Sequence, residues 1–207
     1  MSPSMVINDE RPQYAERREQ LLLVARGIFA ERGFQAATMD DIAREAGFTK
    51  PILYQFFDSK TDLYREIVTQ TGAKLLTNLE NAVSSVDSPR AKIEVAFRVY
   101  FEMVVSEPDA FRVLFIHSHE GETWQDLRAV ELGLVSFLEP LIVVPISDDH
   151  RRQLAAGVVG IAEGAAVTWL EQQAVKGWPP PAPGAAQRLA ERSATLAWGG
   201  LRTVQQD

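Results

Sequence analysis

The chain contains no cysteine in 207 residues, which excludes disulfides and thiolate metal sites. Its first residues, MSPSMVINDERP, lack a basic start followed by an apolar run and do not read as a secretory signal. The longest apolar stretch, Leu132 to Ile146, is broken by Glu139, Pro140 and Pro145 and is too short and interrupted to span a bilayer. No membrane partner is therefore expected, and a cytoplasmic location follows. No segment alternates like a half-buried strand, so the expected class is all-α. There is no nucleophile–base–acid set at interpretable spacing and no glycine-rich phosphate loop, so neither an enzyme nor a cofactor is expected. His117, His119 and Glu122 could ligate zinc or nickel, but they lack an obvious fourth ligand and lie in a loop-like stretch, so no metal is expected.

Positive charge is also scarce. The net charge is −7, which taken alone argues against a polyanionic partner. Residues 1–60 hold eight Lys and Arg against nine Asp and Glu, whereas residues 61–207 hold thirteen against nineteen. The acidity thus lies mostly outside the first sixty residues, and phosphate attraction depends on charge at the contact. With 46% hydrophobic and 24% charged residues, the composition is that of an ordinary soluble domain or two.

Thr38 to Lys60, TMDDIAREAGFTKPILYQFFDSK, organises the rest. Asp40 to Ala46 reads as a short helix capped by Thr38, with Asp40 and Asp41 in its first turn, where the dipole favours them. Gly47 supplies the positive φ of a turn. Thr49 is placed to cap a second helix, and Pro51 sits in its first turn, where a missing N–H costs nothing. Leu53, Phe56 and Phe57 supply its buried face. Helix, glycine turn and short helix make the helix-turn-helix plan, whose second helix can enter the major groove. Upstream, Leu21, Leu22, Ala25, Ile28 and Phe29 fall at helical spacing within Tyr14 to Arg32, and Gly33 ends that helix. Residues 1–13 are expected to be a mobile arm. Downstream, Ser59 with Asp62 resembles a capping box. A long helix follows, with Leu63, Ile67, Thr71, Leu75, Leu79 and Val83 at four-residue intervals.

AREAGFTKPILYQFFDSKTDLY resembles the DNA-binding core of the TetR family of transcriptional regulators. The frame of the likeness is Ala43, Ala46, Gly47, Thr49, Leu53, Tyr54, Phe57, Lys60 and Leu63, extended by Phe29, Gly33, Thr38 and Ile42. It covers about residues 15–65 closely, and the remainder in length and helical layout. The resemblance implies a helix-turn-helix domain over 14–62 and a helical ligand-binding and dimerisation domain over 63–207. It also implies a ligand-responsive regulator, typically a repressor, bound as a dimer to a palindromic operator. Thr38, Thr49, Tyr54 and Lys60 are then the expected phosphate contacts. Lys50, Pro51 and Gln55 are the expected base readers, with Met39 and Asp40 from the helix before. For Tyr54 simple packing is the alternative; for Lys50 and Gln55 it is a solvated face.

Beyond Asp87-Ser88-Pro89, which reads as a stop and a restart, the pattern stays helical. Helices are expected around residues 89–105, from Pro108, from Trp124 to about Leu138, from Asp148 to Lys176, and from Ala185 to about Val204. Phe97, Tyr100, Phe101, Phe115, Trp124 and Trp169 would suit a bulky apolar or aromatic effector, or are ordinary core. Glu163, set among Ala, Gly and Val, could face a cationic ligand, pair with an arginine, or face water. The small residues of 148–176, with 185–204, suggest a homodimer face, unless they pack within the chain. A helical carrier or enzyme with an incidental helix-turn-helix-like bend, or a helical adaptor, are the competing classes. The first predicts ligand without DNA, the second neither.

Overall fold

The computed structural model describes residues 10–115 and 123–205, with nine α-helices and no strand among them. The expected mobile arm and the His117–His119–Glu122 group thus lie largely or wholly outside the described residues. Within them, α1 (Glu10–Ala36) already includes residues 10–13. Two compact units divide the chain after Tyr64, against an expected boundary after residue 62.

In the first unit, α1, α2 (Met39–Glu45), α3 (Lys50–Phe56) and the first turn of α4 (Lys60–Ser84) surround one small core. Leu21, Ala25, Phe29, Ile42, Leu53, Phe57, Leu63 and Tyr64 are almost wholly enclosed. Phe29, Phe34 and Tyr64 meet edge-on or tilted, with centroids 5.0–6.0 Å apart, a geometry that matches ring edges to ring faces. Gly33 breaks α1 with φ 76°, so the helix proper ends where the sequence places it.

The second unit holds the rest: most of α4, α5 (Pro89–Ser106), α6 (Pro108–Phe115), α7 (Trp124–Leu138), α8 (Asp148–Val175) and α9 (Ala185–Leu201). A short 3₁₀ turn, Glu139–Leu141, follows α7. Ser88 caps α5 and Ser147 caps α8, each accepting a backbone N–H three residues on. Gly177 stops α8 with φ 73°. Arg151 donates to the carbonyls of Ile142, Val144 and Ile146, which ties down a connection with no ladder of its own.

α4 and α7 approach closely. A Cβ on Gly72 would lie 2.6 Å from a Val130 methyl, and one on Gly133 would lie 3.1 Å from Leu76. α8 is the one described helix long and apolar enough to cross a membrane, a longer candidate than Leu132–Ile146. Ala155, Val158, Val159, Ala162, Ala166 and Leu170 place one side of it in the core.

Candidate nucleic-acid interface and apolar cavity

In the first unit the Thr38 hydroxyl accepts the Asp41 N–H at 3.1 Å and donates to the Asp41 carboxylate at 2.6 Å. That bond, then Arg44, holds the Asp41 carboxyl below its ordinary range. Gly47 turns with φ 73°, and the Gln20 amide donates to the Ala46 carbonyl at 3.2 Å, so α1 braces the turn. α3 then presents Thr49, Lys50, Pro51, Tyr54 and Gln55 to solvent and turns Leu53 fully inward. Ile52 and Phe56 are half-buried; Phe56 stacks on Tyr14 at 4.5 Å and is packing.

Three expectations change here. Met39 is 7% exposed, because the first residue of α2 turns into the core; it is removed from the base readers. Thr49 occupies the N-cap of α3 but makes no side-chain cap bond, so its exposed hydroxyl keeps its hydrogen-bonding capacity. Lys60 donates to the carbonyls of Phe34 at 2.7 Å, Ala37 at 2.9 Å and Gln35 at 3.4 Å, and lies over the Phe34 ring. An ammonium has three donors, and all three are taken by the chain that leaves α1. Lys60 therefore anchors the α1–α2 connection, and a phosphate contact by it would compete with these carbonyls.

Lys50 meets Asp40 at 2.9 Å, a pair that raises the lysine's proton affinity through the hydrogen bond first and the carboxylate's charge second. Both side chains are exposed, so the pair contributes little to stability, but it joins the two helices at the surface where base readers are expected. Ser59 accepts the Asp62 N–H at 3.0 Å. The Asp62 carboxylate reaches the Asp58 N–H at 3.3 Å, one residue outside the reciprocal capping box.

The second unit contains a small apolar cavity of about 40 Å³. Its walls are Leu79 of α4, Ile93, Ala96, Phe97 and Tyr100 of α5, Leu134, Phe137 and Leu138 of α7, and Val158, Val159 and Ala162 of α8. Of the residues expected on a ligand, Phe97 and Tyr100 are there. Phe101 is completely buried in the neighbouring core, at 5.3 Å from the Tyr100 ring. Phe115 packs on Phe111 at 5.7 Å. Trp124 is half exposed on the first turn of α7, and Trp169 lies in a separate groove between α8 and α9; neither lines the cavity. Spacing alone does not separate a wall from a core, so the aromatics were only partly a guide. The missed walls had one faint signal, Leu134, Phe137 and Leu138 at three- and four-residue spacing.

The Tyr100 hydroxyl is enclosed and has no hydrogen-bond partner. Burial, then the negative charge of Glu163, push its ionisation well above the ordinary range. Glu163, next to Ala162 on α8, is itself pushed up to about 7, by desolvation first and by Glu131 second, with Arg128 opposing. Arg128 and Glu131 pair with each other at 2.5 Å. The groove between α8 and α9 is lined by Gly160, Gly164, Ala165, Leu189 and Leu196, among others. Added Cβ atoms on Gly157, Gly160 and Gly164 would meet nothing within 4 Å, and Leu196 is 66% exposed.

Residues 21–67 match the model of the tetR family of bacterial regulatory proteins. Over 194 residues the chain is 29% identical to the transcriptional activator FasR of Mycolicibacterium smegmatis, covering 91% of this chain and 84% of that one. It is 24% identical to the transcriptional repressor KstR2 of the same organism, over 96% of this chain and 97% of that one. The regulator FadR of Bacillus subtilis, solved with stearoyl-CoA, shares the fold at a TM-score of 0.73 and 15% identity, covering 88% of this chain and 98% of that one. The family match makes residues 21–67 a helix-turn-helix domain of the tetR family of bacterial regulatory proteins, and the chain as a whole is similar to regulators that carry that domain.

Proposed function

We propose that this chain is a cytoplasmic, ligand-responsive transcriptional regulator that binds a palindromic DNA operator as a homodimer. The observation that carries the DNA reading is the surface of α3 and its cap. Thr49, Lys50, Pro51, Tyr54 and Gln55 stand exposed together on a helix whose opposite side, Leu53, is locked in the core. Thr38, Thr49 and Tyr54 supply hydroxyls for phosphate oxygens. Lys50 and Gln55 have the donor geometry to read guanine and adenine edges, with Asp40 holding Lys50 in place and Pro51 offering apolar surface to a thymine methyl. One head covers a few base pairs, so a two-fold pair is needed for a specific site. The exposed small-residue side of α8 and the neighbouring Leu189 and Leu196 of α9 support that pairing, because small side chains let a second helix pair approach closely.

The cavity is the effector site in this reading. Its apolar walls suit a hydrocarbon once the helices part to admit one, since the void of about 40 Å³ is only a few water volumes, and the FadR structure with stearoyl-CoA makes an acyl thioester the class to test first. α4 carries Leu79 in the cavity wall and runs unbroken from Lys60. A ligand that prefers one placement of that helix shifts the population between DNA-fitting and non-fitting forms. A coupling of about 1–3 kcal/mol corresponds to a roughly 5- to 150-fold change in operator affinity.

Repression with release by effector is the proposed direction, since a dimer seated on a promoter blocks transcription by occupancy alone. The test is selection of random duplex DNA by the purified protein, followed by titration of the enriched duplex with stearoyl-CoA. An enriched palindrome that the acyl-CoA dissociates supports the reading. No enrichment at low salt by a folded protein sinks it, and a reporter driven from the enriched site that falls when the protein is removed makes it an activator.

A further inference from the structure

We propose that Tyr100 forms a polar point in the cavity wall that selects a hydrocarbon chain bearing an uncharged carbonyl, as in an ester or ketone, and rejects the free carboxylate. The inference rests on reading the cavity as the effector site and concerns which chemistry enters it.

Among the described residues, Tyr100 is the one member of the cavity wall whose side chain carries a hydrogen-bonding group, and that hydroxyl is enclosed and unpartnered. An O–H left unmade in an apolar surrounding is costly, and an incoming acceptor recovers that cost. A carbonyl oxygen is the economical match, one acceptor for one donor. An ammonium brings three donors to a wall that offers a single phenolic oxygen. A carboxylate would accept from Tyr100 but would carry a full charge into hydrocarbon walls. It would also feel the charge of Glu163, which does not line the cavity but acts on the tyrosine. The charged groups that act on Glu163 are Glu131, which repels it, and Arg128, which opposes that repulsion. Arg128 is paired with Glu131 at 2.5 Å, so its charge is already shared when an anionic ligand arrives. The raised proton affinity of Glu163 agrees with this geometry: the site holds even its own carboxylate with difficulty at neutral pH.

The test uses the full-length protein and the fluorescent apolar dye N-phenyl-1-naphthylamine, displaced at pH 8 by methyl decanoate, decanoate or decylamine. Methyl decanoate should displace the dye at a concentration about tenfold or more below decanoate, the size expected when a buried hydrogen-bonding group is satisfied rather than left unpaired. Y100F keeps the ring and its packing; it should weaken methyl decanoate about tenfold more than it changes dye affinity, and a cooperative thermal melt shows that the variant is folded. E163Q should narrow the gap between ester and acid. Equal displacement by ester and acid, an ester affinity indifferent to Y100F, or decylamine outcompeting the ester would each overturn the assignment and leave the cavity a ligand site. Absence of dye binding, or of displacement by any probe, would remove the ligand site itself.

Discussion

The two units treat polar groups in opposite ways. Residues 10–64 enclose a core without an unpartnered buried side-chain donor or acceptor among the described residues, whereas the second unit keeps two such atoms, Tyr100 Oη and Asp126 Oδ2. The first unit spends its charged and polar groups on fixing geometry: Lys60 on three carbonyls, Gln20 on the turn, Thr38 on its own helix end. The second leaves space between four helices and an unsatisfied hydroxyl at its wall. A reading head gains from having one conformation, because its base contacts depend on register. An effector domain gains from a deficit that a ligand can fill, since only a difference in interaction between states moves an equilibrium.

The largest effect expected from attacking this contrast is in the head. Phe57, 1% exposed, replaced by alanine should cost about 3–5 kcal/mol and abolish operator binding, read by denaturant melts and gel shift. An equal loss of binding with an unchanged melt would place Phe57 on the DNA. Replacing Lys60 by methionine strips three carbonyls of their donor and should cost about 1–3 kcal/mol. The salt dependence of DNA binding should keep its slope; a slope flatter by about one unit would return Lys60 to a phosphate contact.

In the second unit the expected signature is a pH dependence. Glu163 has its folded proton affinity raised from 4.5 to about 7. The folded state therefore binds the proton more tightly than the unfolded chain does, and stability from this group is present below about 4.5 and lost as pH rises through about 7. Glu163→Gln should accordingly gain melting temperature relative to the parent between pH 5 and pH 8. A constant difference across that range would show that the carboxyl titrates normally. The smallest effect is expected at the surface pair. Asp40→Asn frees Lys50 and should steepen the salt dependence of non-specific DNA binding by about one unit. No change would mean that the lysine meets no phosphate, paired or free.

Much of the head was legible because its signals are local. A cap, a glycine with positive φ and an early proline act within a few residues, and Gly33, Gly47 and Ser59 stand where those rules place them. Side-chain direction was less so: Met39 and Asp40 are neighbours at one helix start, yet one turns inward and the other outward. The anchoring role of Lys60 was hidden because its donors are met by carbonyls 23–26 positions earlier, which no local pattern reports. Aromatic content pointed toward a pocket, but Phe101 became core and Trp124 surface, since hydrophobicity measures burial and not which neighbours share a void.

By itself, then, the sequence determined the all-helical class, the order of the helices with their approximate ends, and the helix-turn-helix with its exposed α3 positions. These follow from propensity, capping and 3.6-residue periodicity, all short-range along the chain. Tertiary structure alone decided which aliphatic side chains wall the cavity, that Tyr100 lacks a partner there, and that burial first, then Glu131 against Arg128, raises the proton affinity of Glu163. Each is a meeting of residues from different helices, and such meetings exist only once the helices have packed.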